Sequence, residues 1–487
     1  MTFKQALPFL GAGLLLLNLI IPPFQNPDEP QHFAMAVIYA RGAAGEGAGM
    51  EREAVESGVL RMMDRANWWR LVGIGQPQPL PARLSDIEFL MKDVAGEGDF
   101  RNRLTNFLLW HRLAGAAMRP VAGWRLEKLY FLGRAASALF LFGSFFLLWK
   151  TFEMLGTVFG KGARMGFSIA FFLPQFWLTG TSVSPDAFVA LLGAAFFYAA
   201  AVLLFGKGRG DEKSHGNKGL GNVWPAILVV FLPVVGMLVD RSAFIMVPAA
   251  LAVAALMIRR ENWQTAVPMM LIGAIGAVLA AYFMALRYPF LAEQVYQSAK
   301  NVLSVGLKPL AGILDISGFA RPFWGFTADG MLLKFGWLVF SVSKAVYWAW
   351  RILLIAAGAG LAVRLLKWAK ARMNDEDRAG GESGRSPRAR WMMLAAASVA
   401  VQALGMWAYY GTKGILGQGR YFFPVILPLA FLLAVGWHEL GELMKRGAGR
   451  KLVAAVIAGE FLLFVFSIWI HIVPAFHLIL RGPHPGV

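Results

Sequence analysis

The sequence predicts an all-α polytopic membrane protein of about eleven transmembrane helices, and three observations carry that expectation. Of 487 residues, 57% are hydrophobic and only 16% are charged, whereas soluble domains carry about 25%. Apolar runs of spanning length recur along the chain, at roughly 6–22, 129–149, 165–181, 186–206, 223–239, 242–258, 265–286, 345–365, 391–410, 421–438 and 452–472. The basic residues gather in alternate connections.

The first run follows Lys4 and resembles a leader. Its one small-residue site, Ala34-Met35-Ala36, lies beyond intervening prolines, so the run reads as a retained anchor. With the N-terminus inside, the inner connections are 150–164, 207–218, 259–260, 367–390 and 445–451, each with Lys and Arg in excess. The outer loop 23–128 holds 13 basic and 13 acidic residues. Most of the net charge of +18 is therefore a topological signature, and nucleic acid is excluded as a partner. No cysteine is present, which removes disulfides, thiolate metal sites and cysteine nucleophiles.

The chain divides into a first helix (1–22), an outer loop (23–128), helices 2–7 (129–286), a second large outer loop (287–344), and helices 8–11 with an outer tail (345–487). Loops this long usually serve function. In the first, "NRLTNFLLWHRLAGAAM" repeats Leu104, Phe107, Leu108 and Leu113 at helical spacing. Trp110 and Arg112 suit a helix lying in the interface, while packing on the protein's own surface is an equal reading. "AAGEGAGMEREAVESG" reads as a mobile polar insert. "GMLLKFGWLVFSVSKAVYWAW" suggests another interfacial helix. The inner stretches 206–219 and 373–390 are Gly-, Ser- and charge-rich linkers, and no internal repeat is visible.

Ionisable residues within or beside membrane spans are expensive and mark function. Here they gather at the outer ends: Asp28, Glu29, His32, Arg134, Asp186, Asp240, Arg241, Arg351, Lys413 and Arg420. Each has a bland reading. Arg134 and Arg351 can snorkel, and Asp240-Arg241 reads equally as a solvated turn. Glu460 stands alone near mid-span with no evident partner.

Asp28 fits a helix N-cap, with Pro30 in the first turn and Gln31 completing a capping box. That motif does not require Glu29 or His32. Asp28 and His32, four residues apart, share one side of a helix and can accept a proton, hold a cation or contact a phosphate.

Three segments carry a family resemblance. They are "PPFQNPDEPQHF" after the first run, "SVSPDAF" opening the fourth and "GQGRYFFPVILP" opening the tenth. They resemble a DUF2142-like family of bacterial multispanning proteins of unknown function, marked by a proline, an Asp-Glu pair and a histidine three residues on. That family resembles the GT-C glycosyltransferases, which use lipid-phosphate-linked sugars at the outer face.

The resemblance implies a GT-C-like fold in the bacterial inner membrane, with its active site facing the periplasm. It implies a polyprenyl-phosphate-linked sugar as donor and a lipid or glycan as acceptor, among membrane lipids. Asp28, with Glu29, takes the role of base or cation ligand. Arg420, then Arg241, Arg134 and His32, take the donor phosphate. Asp186, Lys413 and Tyr421 complete the candidates. Magnesium or manganese on Asp28, Glu29 and His32 is one reading of the acidic cluster, and carboxylate–arginine pairing is the other. A polymerase or ligase of lipid-linked glycans, and a transporter or flippase, are the rival functions.

Overall fold

The structure, a computed structural model, describes residues 3–24, 29–43, 49–71, 79–81, 84, 108–205, 223–258, 334–335, 340–341, 343–376, 386–413, 419–445 and 447–472. Asp28, the seventh expected span and most of the second large loop lie outside these residues. The described chain is helical throughout, apart from one short antiparallel ladder pairing β1 (Lys334–Phe335) with β2 (Phe340–Ser341). That ladder falls where the sequence suggested an interfacial helix.

Six of the eleven expected spans appear as helices long and apolar enough to cross a membrane, and three more as shorter apolar helices. Leu139, Leu251, Ile352 and Leu462 are exposed on them. Apolar surface on that scale belongs against lipid, so the chain is a polytopic membrane protein.

The first helix, α1 (Phe3–Ile20), stops before Pro22 and Pro23, which cannot donate to a continuing helix. The outer loop then contributes α2 (Glu29–Ala40), α3 (Gly49–Arg65), α4 (Trp68–Leu71) and α5 (Leu108–Met118). The polar stretch expected to be mobile is an ordered helix from Gly49 onward. Val55 and Val59 are buried, and Glu56 accepts from Arg52 at 2.9 Å and from the Leu84 N–H at 3.2 Å. The "LLWHRL" helix packs on the protein itself: it lies along α2, and Trp110, 3% exposed, rests against Phe140 and Phe188.

The second span, α6 (Leu126–Phe159), runs 34 residues and ends at Gly160, whose φ of +90° favours glycine. The third expected span is broken into α7 (Lys161–Arg164), α8 (Gly166–Phe171) and α9 (Pro174–Thr179). Leu173, forced extended ahead of Pro174, interrupts it. Past Thr179 the backbone unwinds, and hydroxyls take up its carbonyls: Thr181 Oγ1 donates to Leu178 O and Ser182 Oγ to Thr179 O. Unwound backbone at membrane depth needs such partners. Phe145 of α6 packs this segment through Phe167, Phe171, Phe176 and Trp177.

Next come α10 (Asp186–Phe205), α11 (Val223–Val239), a 3-10 turn (Arg241–Ile245) and α12 (Met246–Ile258). After them run α13 (Lys344–Glu376) and α14 (Pro387–Lys413). A second 3-10 segment (Gly419–Val425) leads into α15 (Ile426–Met444) and then α16 (Gly449–Val465). The helices α10 and α15 form the buried centre, while α13 and α16 are peripheral. α10 meets the second 3-10 segment closely, since Gly193 lies against the Pro424 backbone and leaves no room for a Cβ.

Candidate functional site

At the end of the bundle that carries the first loop, the candidate residues form two layers. The deeper layer is built on Glu29, fully buried at the start of α2. The Tyr130 hydroxyl donates to Glu29 Oε1 at 2.7 Å, and the Val183 N–H donates to the same oxygen at 2.8 Å. Arg134 Nε lies 3.8 Å from it. The Phe24 N–H in turn donates to the Tyr130 hydroxyl at 2.9 Å. One carboxylate therefore ties the first loop to α6 and to the unwound segment before α10.

Arg134, 1% exposed, does not snorkel. Its terminal nitrogens donate to the Ile21 and Pro22 carbonyls at 2.7 Å each, and to Asn18 O at 3.3 Å. These are the carbonyls a helix end leaves without partners, so Arg134 caps α1 from the neighbouring helix. Arg351 fits the snorkelling reading better: half-buried, its guanidinium lies 5.2 Å from the Trp348 ring centroid.

One turn beyond Glu29, the His32 and His111 rings meet, with Nδ1 of His32 2.9 Å from Nε2 of His111. Burial, with the Arg420 charge adding, lowers the His32 pKa to about 3. Burial, and then His32, hold His111 well below its ordinary value. Both imidazoles are therefore neutral at pH 7, and a single N–H joins them.

The second layer is an ion pair. Arg420 Nη1 lies 3.2 Å from Asp186 Oδ2, and the Ser184 hydroxyl donates to the same oxygen at 3.1 Å. The Arg420 guanidinium also lies 5.6 Å from the Tyr421 ring centroid. Asp240 faces this pair electrostatically; it is 6% exposed and accepts the Ser242 N–H at 2.6 Å. Burial, and then repulsion from Asp186, raise its pKa to about 6. The solvated-turn reading of Asp240 is thus corrected, because the turn is covered by the 3-10 segment that carries Arg420. Gln402 clamps the two turns: its Nε2 donates to Tyr421 O at 2.5 Å and to Ser242 O at 3.3 Å.

The structure thus brings Glu29 to Arg134, His32 to His111, and Asp186 to Arg420 and Asp240. Asp28 lies outside the described residues. Arg241 opens the first 3-10 turn and Lys413 closes α14, but their side chains are not among those described. Gln31 Oε1 accepts no hydrogen bond from a described residue, and the expected capping box falls on Asp28, outside them.

Among the described residues, no three acidic or histidine groups are placed to hold a metal ion. Oε1 of Glu29 already has two donors, so that oxygen does not suit a cation ligand. Glu460, 3% exposed, sits mid-helix on the face of α16 shared with Val453 and Val456, and neither of its oxygens is hydrogen-bonded by a described residue.

Sequence reasoning missed Tyr130 and His111. Their partners stand 101 and 79 residues away, and contacts so distant in sequence leave no local signal. Gln402 did leave one, as a lone amide in an apolar span.

Apolar helices in a bundle, with Glu29, His32, Arg134, Asp186, Asp240 and Arg420 gathered at one end, define a polytopic membrane protein with a polar cluster at that end. The chain belongs to the family described as "Predicted membrane protein (DUF2142)", whose model matches residues 9–430. Neither a curated protein nor a solved structure matches it. The family's function is unknown, and every residue of the two layers lies inside the matched range.

Proposed function

We propose that the protein is a membrane glycosyltransferase of GT-C type in the bacterial inner membrane. It moves a sugar from a polyprenyl-phosphate donor to a lipid or glycan acceptor at the periplasmic face. The observation that carries this reading is the buried Asp186–Arg420 pair, held at the first-loop end by Gln402 and flanked by His32 and Asp240.

A polyprenyl phosphate is a good leaving group, so the enzyme needs no strong acid. It must hold the phosphate charge that develops as the glycosidic bond breaks, and a guanidinium does this with paired N–H donors. In this reading Arg420 exchanges part of its contact with Asp186 for the phosphate, while Asp186 keeps the guanidinium oriented. A carboxylate base accepts the acceptor's proton, and a single in-line displacement inverts the anomeric centre. Asp28 remains a candidate for that base. Glu29 and Arg134, committed to each other and to backbone groups, act as the brace that fixes the first loop. The apolar tail of the donor stays in lipid beside the bundle. A polymerase or ligase of lipid-linked glycans would use the same groups.

One observation favours a different class. Glu460 is a buried carboxyl in mid-span, unbonded among the described residues, a position common in transporters. Proteoliposomes that moved a lipid-linked sugar across the bilayer without forming a transfer product would establish the transporter reading.

The direct test is binding of undecaprenyl phosphate to purified protein, wild type against Arg420→Ala. A loss of roughly tenfold or more in a variant that melts like wild type supports the donor site. No binding by folded wild type removes the glycosyl-transfer reading.

A further inference from the structure

We infer that Asp240 is a catalytic carboxylate of this site, the base that takes the proton from the acceptor hydroxyl. The assignment rests on the glycosyl-transfer reading and adds a residue that the family resemblance does not supply.

Asp240 occupies the connection between two apolar helices, where an aspartate ordinarily caps a turn in water. Its backbone is extended (φ −154°, ψ 140°), and its Oδ1 makes the expected cap to the Ser242 N–H. Capping accounts for one oxygen only. Oδ2 accepts no hydrogen bond from any described residue, although the residue is only 6% exposed. Oδ2 is therefore the oxygen left to take a proton.

The turn is also fixed in space. Gln402, fully buried, joins the Ser242 carbonyl to the Tyr421 carbonyl, so the residues beside Asp240 and Arg420 are tied through one amide. Among the described residues, the charged groups that face Asp240 are Asp186 from α10 and Arg420 from the second 3-10 segment. The segment that carries Arg420 packs on the turn of Asp240, while the guanidinium itself pairs with Asp186. Asp186 has the 3.2 Å ion pair and a serine hydroxyl, and Asp240 has neither. Asp186 is thus the charge partner of the arginine, and Asp240 is the carboxylate left to accept a proton. With its pKa near 6, Asp240 is ionised at neutral pH and close enough to it to act as a base.

The step balances. The acceptor O–H gives its proton to Asp240 Oδ2, and its oxygen bonds to the anomeric carbon. The bond from that carbon to the phosphate oxygen breaks, and its electron pair leaves on the polyprenyl phosphate beside Arg420.

The test compares Asp240→Asn, which keeps an acceptor for Ser242 N–H, with wild type and Asp28→Asn. The probes are undecaprenyl phosphate for binding and radiolabelled undecaprenyl-phosphate hexoses for sugar release. The expected result is binding within about threefold of wild type and a fall of roughly 10²–10⁴-fold in sugar release. Wild-type release should decline below about pH 6 as Asp240 gains a proton, and this limb should vanish in Asp240→Asn. Release that survives in Asp240→Asn overturns the assignment and leaves the donor reading intact. If Asp28→Asn alone abolishes release, the base is Asp28. Failure of wild type to bind the lipid is the separate failure of the reading itself.

A readout without turnover guards against a variant that does not fold. Dicyclohexylcarbodiimide, applied to wild type below about pH 6, should modify Asp240 in mapped peptides, and undecaprenyl phosphate should protect it. No modification, or modification without protection, would overturn the proposal.

Discussion

At the first-loop end of the bundle, Arg420 and Asp186 pair through side chains 8% and 12% exposed. At the opposite end, Arg364 and Lys367 of α13 reach Glu439 of α15 from side chains 51% and 52% exposed. The two ion clusters hold their cations differently. The exposed lysine and arginine keep most of their hydration. The buried pair has given up that hydration, and a chain does so only where hydrogen bonds and opposite charge replace it. The lesson is that the count of charges at a membrane face says less than whether the protein has closed over them.

Glu29 is where that contrast can be broken most severely. Replacing it in Glu29→Ala leaves the Arg134 charge buried and removes the acceptor for Tyr130 and Val183. A destabilisation of about 3–5 kcal/mol is expected, read as a large fall in Tm in detergent. A change under about 1 kcal/mol would mean that the brace is no different from a surface pair.

A smaller effect is expected at Gly193. Gly193→Ala drives a methyl into the Pro424 backbone, which cannot rotate aside as a side chain would. Overpacking of this kind typically amounts to about 1–3 kcal/mol. Because the displaced segment carries Arg420, lipid-phosphate binding should weaken together with Tm. Weakened binding at an unchanged Tm would place the strain in the site alone.

Least is expected at the opposite end. Lys367→Gln should change stability by at most about 1 kcal/mol and leave lipid binding untouched, because Arg364 still faces Glu439. A loss as large as that from Glu29→Ala would erase the distinction between the two ends.

The helical frame was legible because apolar length and charge sidedness are local properties. So was the break after the second span, in outline: Pro174 and the Ser/Thr-rich stretch 179–184 stand in the sequence. Reading 165–181 as one span gave weight to its hydropathy over its proline, and the proline prevailed. The interfacial reading of the "LLWHRL" helix gave way for a different reason. Amphipathicity reports an apolar face without saying whether lipid or protein covers it, and here α2 and α6 do.

By itself, then, the sequence determined a multispanning chain, the spacing of most of its helices, and a collection of ionisable residues at one end. Those follow from transfer energies summed over neighbouring residues. Only the tertiary structure decided that Glu29 belongs with Arg134 and Tyr130, that His32 meets His111, and that Asp240 is enclosed beside the Asp186–Arg420 pair. Such pairings depend on which helices pack together, and hydrogen bonding and desolvation act over a few ångströms in space, however far apart the residues stand in the chain.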